Sequence, residues 1–415
     1  MLLIYSVLYA IVLAFLFVPQ YLKRSSELRG RWLREKMGRI EYSPAGDRPI
    51  WVHAVSVGEV SASILLLKKI RAAYPERRII LSTITDTGQK IAREKAPSGT
   101  QVVYLPFDLL FILRRWLART DPCMMIIIET ELWPNLFRAC ALRGIPILLL
   151  NGRISGKSGQ GYRRISFFMK EVLRNVSVFG MQGDIDAERL LAMGADKAKV
   201  KVLGNFKFDM DMPGSAPAWA RGLKGPVIVA GSTFDGEEEM IVSAWKENLA
   251  KFPSLTLILA PRHPERFKDV EGMLAANRVP YVKRSSLRGT EDHGENGIVL
   301  LDTIGELTVV YGVADIAIIG KSFRGTVGQN PLEPAYWGKA IICGPHMENF
   351  PFIRDFYAEA AAFEVEESGL AKKIRELLVS PEKAQTAGEK AKELYLRNSG
   401  AVDRAMEIIR EFLRP

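Results

Sequence analysis

Short apolar runs rich in β-branched residues recur along this chain, with helical patterns between them, and that rhythm leaves few folds open. In the first half the runs are Ile50–Ala54, Arg78–Thr83, Gln101–Leu105, Met124–Ile128, Ile145–Leu150, Ser177–Gln182 and Val200–Leu203. The second half repeats them at Val227–Ala230, Leu255–Ala260, Val279–Val282, Ile298–Leu301, Ile316–Ile319 and Ala340–Cys343. A run such as Met124-Met125-Ile126-Ile127-Ile128 offers no polar face, so both of its sides must be covered, as in a parallel sheet flanked by helices. Strands alternating with helices specify βαβ units and an α/β fold of doubly wound domains. A chain of 415 residues is long enough for two such cores. Between the halves, Phe208 to Pro226 holds three prolines and three glycines without periodicity, the signature of a linker. The expected organisation is therefore an N-terminal anchor over residues 1–22, a first domain over 23–207, a linker over 208–226, a second domain over 227–380 and a terminal helix over 381–415 that packs across the domains.

The N-terminal stretch Leu2 to Val18 carries no charge, Pro19 follows, and Tyr21 supplies an aromatic suited to an interface. Such a helix is about 25 Å long, the short end of what spans a bilayer. Lys23, Arg24, Arg29, Arg31, Arg34, Lys36 and Arg39 come after it, which places the rest of the chain on the cytoplasmic side. A cleaved signal peptide would need a basic start and a small-residue exit, and neither is present. A helix lying in the interface without crossing is the alternative. The net charge of +10 calls for an anionic partner. No zinc-finger spacing or RNP-like aromatic pattern points to nucleic acid, so an anionic membrane surface is the expected one. Cys123, Cys140 and Cys343 and the four histidines are too few and too scattered for a disulfide framework or a zinc site, and no metal or cofactor is expected.

Polar groups cluster at the ends of the apolar runs, where parallel sheets bind ligands. Near the C-terminus, Asn330-Pro331-Leu332-Glu333-Pro334 precedes Gly338-Lys339 and the run Ala340–Cys343. A carboxylate placed there can accept from two ribose hydroxyls while loop N–H groups meet a phosphate, although the same layout serves any strand–turn–helix connection. The first strand leads into Ser56-Val57-Gly58-Glu59. Glu59 is a candidate general base, and Ser56-x-x-Glu59 reads equally as a capping box in which Glu59 returns to the Ser56 amide. After the fourth run, Glu129-Thr130-Glu131-Leu132-Trp133 puts carboxylates at a strand end. Glu131 is suited to orient a sugar hydroxyl or an amine, and capping of the next helix is the alternative. Asn151 to Ser158 lacks the spacing of a phosphate loop, which excludes nucleoside triphosphate hydrolysis. With Arg163, Arg164 and Lys170 it forms either a basic segment for a phosphorylated acceptor or a solvated loop. In the second half, Gly231-Ser232-Thr233, Pro261-Arg262-His263-Pro264 and Thr303-Ile304-Gly305-Glu306 end three strands. The small hydroxyls admit a phosphate, Arg262 can pair with it, and Thr303-x-x-Glu306 again fits a capping box.

In order along the chain, His53–Glu59, Glu129–Asn135, Asn151–Ser158, Gly204–Phe208, Gly231–Thr233, Pro261–Pro264, Gly305–Leu307, Asn330–Pro334 and Gly344–Phe350 together resemble the lipopolysaccharide Kdo (3-deoxy-D-manno-octulosonic acid) transferases. The resemblance implies two Rossmann-like domains of the glycosyltransferase-B (GT-B) type. It implies CMP-Kdo as donor and a lipid A precursor as acceptor, on the cytoplasmic face of the inner membrane, by an inverting transfer without metal. Glu59 then stands as the catalytic base, with Ser56, Glu131, Arg153, Ser158 and Lys207 on the acceptor side. Ser232, Thr233, Arg262, His263, Gly305, Glu306, Gly320, Lys321, Asn330 and Glu333 form the CMP-Kdo side. Most members of the family read Gly-Gly-His-Asn where this chain has Val327-Gly328-Gln329-Asn330. Gln329 cannot become a cation, and Lys321 is the residue that would compensate at the leaving phosphate. A UDP-sugar transferase or epimerase of the same fold, and a membrane-tethered lipid-binding protein without catalysis, are the rival readings.

Overall fold

The apolar runs become strands of two parallel sheets in a computed structural model that describes residues 1–41, 48–156, 161, 165–212, 214–223, 225–287, 297–325 and 327–413. The first sheet is built from β1 (Ile50–His53), β2 (Ile79–Thr83), β3 (Thr100–Tyr104), β4 (Met124–Ile128), β5 (Ile147–Gly152), β6 (Val178–Met181) and β7 (Val200–Val202). Its spatial order is β3-β2-β1-β4-β5-β6-β7. The second comprises β8 (Val227–Thr233), β9 (Thr256–Pro261), β10 (Tyr281–Lys283), β11 (Ile298–Leu300), β12 (Ile316–Ile319), β13 (Ala340–Cys343) and β14 (Ala362–Glu364), in the order β10-β11-β9-β8-β12-β13-β14. Alternate residues of each central strand feed opposite faces. Met124, Ile126 and Ile128 of β4 join one core with Ile50 and Val52, while Met125 and Ile127 join the other with Trp51 and Phe137. In β8, Ile228 and Ala230 face Trp245 and Leu257, whereas Val227 and Val229 face Trp219 and Tyr311. This two-sided burial is why the strands read as unbroken apolar runs.

Two differences from the sequence reading bear on the site. First, β8 does not stop at Ala230 but continues to Thr233, with its pairing to β9 interrupted between Gly231 and Thr233. Second, β14 has only the three residues Ala362-Phe363-Glu364, too short to show a pattern.

The chain forms two compact units, residues 1–210 with 398–415, and residues 211–397. Most of the stretch expected as a linker belongs to the second unit. Its residues Ala218–Gly222 form a 3₁₀ turn that sinks Trp219 and Ala220 into the core beside Val227 and Val229. The expected single terminal helix is two helices, Pro381–Asn398 and Ala401–Leu413, parted at Gly400, whose φ is +85°. Only the second of them belongs with the first unit. There Val402, Ala405, Met406 and Ile409 pack in one core with Leu66, Leu67 and Ile70 of the helix that follows β1.

At the N-terminus, helix α1 (Leu2–Leu22) continues through Pro19, followed by α2 (Ser26–Lys36); α3 (Val57–Ala73) leads away from β1. Among the described residues α1 is the helix long and apolar enough to cross a membrane by length and composition. The Asp209 carboxylate accepts the amides of Gly400 (2.5 Å) and Val402 (2.5 Å), which fastens the start of the last helix to the first unit. Asp209→Ala removes both acceptors and is expected to cost about 1–2 kcal/mol, as the loss of a helix cap does. That corresponds to a thermal transition lower by roughly 2–8 °C for a unit of this size. An unchanged melting temperature in scanning calorimetry would show that the last helix holds by packing alone.

Candidate active site

In the first unit, β1 runs out at His53 and the chain turns through Ala54, Val55 and Ser56 into α3. His53 is fully buried with Nδ1 3.0 Å from both the carbonyl and the hydroxyl oxygen of Ser82, and burial lowers its pKa to about 3. It is a neutral support. Glu59 is half-buried, on the first turn of α3. One carboxylate oxygen accepts the Val55 amide at 2.6 Å and the other accepts the Ser56 hydroxyl at 3.1 Å. The capping box read from spacing is thus altered. Glu59 reaches Val55 rather than Ser56, and the Ser56 hydroxyl turns to the carboxylate instead of capping a helix amide.

On the neighbouring strand, Glu129 directly follows β4 with left-handed backbone, φ +61°, its amide donating to the Leu150 carbonyl at 2.9 Å. Asn151 in β5 has φ +58°, and its side-chain oxygen accepts the Phe206 amide at 3.0 Å. Asn205 in turn accepts the Lys207 amide at 3.0 Å, so two asparagines place Lys207. Thr130 and Arg153 tie the β4 and β5 loops together, hydroxyl to carbonyl at 2.6 Å and amide to hydroxyl at 2.9 Å.

Glu129 stands within electrostatic reach of Glu59, Glu131, Arg153 and Lys207, and Glu131 also acts on Glu59. Burial pushes the Glu59 carboxyl up to about 7, the Val55 amide opposes that rise, and the negative charges of Glu129 and Glu131 add to it. Burial and Glu129 push Glu131 up to about 7 as well. Burial also raises Glu129, against the pull of Lys207 and Arg153, and lowers Lys207 against the pull of Glu129. A carboxyl with a pKa near neutrality suits proton abstraction. Neither Glu129 nor Glu131 caps the next helix, Pro134–Ala141, whose N-cap is Trp133 without a side-chain cap bond. Ser158 lies outside the described residues. Glu129 was not among the sequence candidates; its position at the end of a fully apolar strand was the available signal.

The second unit gathers the other set. A Cβ on Gly320 would stand 2.3 Å from the Ser232 carbonyl, so only glycine permits β8 and β12 to approach there. Ser232 and Lys321, beside that contact, both have left-handed backbone, at φ +56°. The fully buried Glu237 carboxylate accepts four amides, those of Phe234 (2.9 Å), Lys321 (2.6 Å), Phe323 (2.9 Å) and Arg324 (3.2 Å), and so shapes the loop after β12. Glu237 had no counterpart in the sequence reading, because three of its four partners lie more than 80 residues away in the chain. Thr233 is buried and donates to Glu238 at 2.8 Å, while its carbonyl accepts the Arg262 amide at 3.0 Å.

Asn330 accepts the Leu332 amide at 3.1 Å, and Glu333 accepts the Thr308 hydroxyl at 3.1 Å. Burial raises the Glu333 carboxyl, opposed by Thr308, Asn330 and Arg262, which places those residues around it. The structure therefore joins Arg262, Asn330 and Glu333, and separately Ser232, Gly320 and Lys321. His263 is half-exposed, its Nδ1 3.8 Å from Glu265. Gly305 has φ +88° with open space where a side chain would stand. The expected Thr303–Glu306 capping box does not form. Glu306 is itself the N-cap of the helix Leu307–Val310, and its carboxylate pairs with Arg284 at 2.8 Å and accepts the Thr303 hydroxyl.

The Glu59 titration is directly measurable. In carbon-13-labelled protein its carboxyl resonance is expected to move with a midpoint near 7. Glu131→Gln removes a like charge, so that midpoint should fall. A midpoint that stays in place would mean the two carboxyls do not sense each other.

Comparison with known proteins identifies the chain that carries these groups. A family described as 3-deoxy-D-manno-octulosonic-acid transferase (kdotransferase) matches residues 31–210. The 3-deoxy-D-manno-octulosonic acid transferase of Haemophilus influenzae is 34% identical over 407 residues, covering 95% of this chain and 92% of that protein. That of Bordetella pertussis is 32% identical over 414 residues, covering 94% and 95%. Among solved structures, MurG of Acinetobacter baumannii superposes with a TM-score of 0.56 at 12% identity, covering 88% of this chain and 99% of that one, a likeness of GT-B fold alone. With relatives that match from end to end and the doubly wound sheets of a GT-B glycosyltransferase, the chain belongs to the 3-deoxy-D-manno-octulosonic acid (Kdo) transferase family.

Proposed function

We propose that this enzyme transfers Kdo from CMP-Kdo to a sugar hydroxyl of a lipid A precursor, with inversion and without a metal ion, at the cytoplasmic face of the inner membrane. The observation that carries the reading is the Glu59 carboxyl, fixed by the Val55 amide and the Ser56 hydroxyl and raised to about 7 by burial and by Glu129 and Glu131. In the proposed step Glu59 takes the proton of the acceptor hydroxyl as its oxygen bonds to the anomeric carbon of Kdo. The bond from that carbon to the phosphate oxygen breaks, and CMP leaves with the electron pair. A single displacement of this kind inverts the anomeric centre.

The phosphate of CMP-Kdo and the carboxylate of Kdo are both anionic, and Arg262 and Lys321 are the cations assigned to them. Gln329 stays neutral, so the positive charge of Lys321 does not depend on a histidine titrating near neutrality. Glu333 and Asn330 are assigned to the ribose hydroxyls and Ser232 and Thr233 to the phosphate, with His263, Gly305, Glu306 and Gly320 framing them. The Arg284 pair on Glu306 makes that carboxylate a holder of the loop. On the acceptor side, Arg153 and Lys207 are assigned to a phosphorylated sugar, and Glu131 to its hydroxyl.

Four measurements test this reading. Glu59→Gln keeps an oxygen for the Val55 amide but cannot take a proton, and kcat should fall by about 10²- to 10⁴-fold with the melting temperature unchanged. Near-normal turnover would leave Glu59 a purely structural residue. Because the base must be ionised, wild-type kcat/KM should fall about tenfold per pH unit on the acid side of about 7. CMP but not UDP should raise the melting temperature, and turnover should survive chelation. Stabilisation by UDP instead would favour a UDP-sugar enzyme of this fold, and loss of turnover restored by a divalent cation would overturn the metal-free step.

A further inference from the structure

The N-terminal helix does not stand free of the protein. Tyr5, Tyr9, Leu13, Phe17 and Tyr21 recur every fourth residue and so share one face of α1. Tyr9, Leu13, Phe17 and Tyr21 pack on a core of Trp32, Tyr104, Phe107 and Ile112. The Phe17 ring lies 5.9 Å from that of Trp32 and 6.4 Å from that of Phe107. At the other end, the Tyr5 hydroxyl donates to the Asp108 carboxylate at 2.8 Å, the Asp108 amide donates to the Tyr9 hydroxyl at 3.2 Å, and Ser6 donates to Asn135 at 3.1 Å. Asp108 is 1% exposed and also accepts the amides of Asn135 (3.2 Å) and Leu136 (2.8 Å), so one buried carboxylate ties α1 to the start of the helix that follows the Glu129–Trp133 loop. From Tyr5 to Tyr21 the docked face runs for about 24 Å at 1.5 Å per residue.

A helix held along such a length by a parallel α/β domain cannot cross the bilayer unless that domain enters it too. The charged surface of the domain and its open sheet edges forbid that in hydrocarbon. The opposite face of α1 is apolar and bare, with Leu3 and Phe15 each 78% exposed and Val7, Leu8, Ile11 and Leu22 also exposed. Just past its end, Arg24 lies 4.4 Å from the Trp32 ring and pairs with Asp86 at 3.1 Å, while Arg29 donates to the carbonyls of Leu22 and Arg24 at 2.8 and 2.9 Å. Lys23 and Arg34 beside them are exposed. An apolar stripe bordered by basic groups matches the boundary between acyl chains and anionic head groups.

We propose that α1 is a monotopic membrane helix, lying in the plane of the cytoplasmic leaflet on its Leu3–Leu8–Phe15 face, rather than a transmembrane anchor. The tyrosine stripe is its seat on the domain.

Labelling and binding decide between the two topologies without reference to transfer activity. In the full chain with Cys123→Ser, a flexible Gly-Ser extension carrying one cysteine ahead of Met1 should react with a membrane-impermeant maleimide in inverted inner-membrane vesicles and not in spheroplasts. Reaction in spheroplasts, or in neither preparation, would overturn the proposal. Purified protein should also bind vesicles containing phosphatidylglycerol, and Leu8→Glu with Phe15→Glu should weaken that binding by about tenfold or more, since each of the two side chains loses its apolar burial. Both side chains are exposed, so the melting temperature should hold. Unchanged vesicle binding, or the loss instead of a concentration-dependent dimer in sedimentation, would assign the face to another use and sink the idea.

Discussion

Left-handed backbone at the ends of parallel strands underlies both sets of functional groups. Glu129 and Asn151 in the first unit, and Ser232 and Lys321 in the second, hold φ values of +56° to +61°. Each such residue costs of order 1–3 kcal/mol and persists only where its surroundings over-determine it. The surroundings are visible. The Leu150 carbonyl holds Glu129, the Phe206 amide holds the Asn151 side chain, the interrupted β8–β9 pairing accommodates Ser232, and Glu237 holds the Lys321 amide. A strand left to continue would send these side chains alternately to the two faces of the sheet and into the core. The turned backbone releases them at the strand end.

The buried and half-buried carboxylates of Glu237, Asp209, Asp108 and Glu59 divide by what they accept. Glu237 takes four amides, Asp209 two, and Asp108 two amides and a tyrosine hydroxyl. Those groups are committed to the backbone and serve as joints between distant segments. Glu59 has one amide and one hydroxyl, and its neighbours include two further carboxyls. Burial first, and then the like charges nearby, raise its proton affinity, and a single backbone amide holds it.

The apolar runs, the βαβ order and the uncharged N-terminal stretch were legible in the chain, because burial on both faces of a sheet leaves a local pattern. Glu59 was legible as a residue open to two roles; in the structure its carboxylate is tethered like a cap, but to Val55, and burial raises its carboxyl to about 7. Of the aromatic residues of α1, Tyr21 alone was read from the sequence, as interfacial. Their docking on Trp32 and Phe107 depends on a loop some ninety residues further on, which no local pattern reports.

What the sequence determined by itself was the class of fold and the family, since hydrophobic periodicity and motif order are written in neighbouring residues. Tertiary structure alone decided that Glu129 turns left-handed, that Glu237 and Asp209 act as joints, that the terminal helix breaks at Gly400, and that one face of α1 is already occupied. The physical reason is the same in each case. These outcomes rest on hydrogen bonds and packing between segments far apart in the chain, such as Asp209 with Val402 across 193 positions, and such partners are chosen only when the fold brings them together.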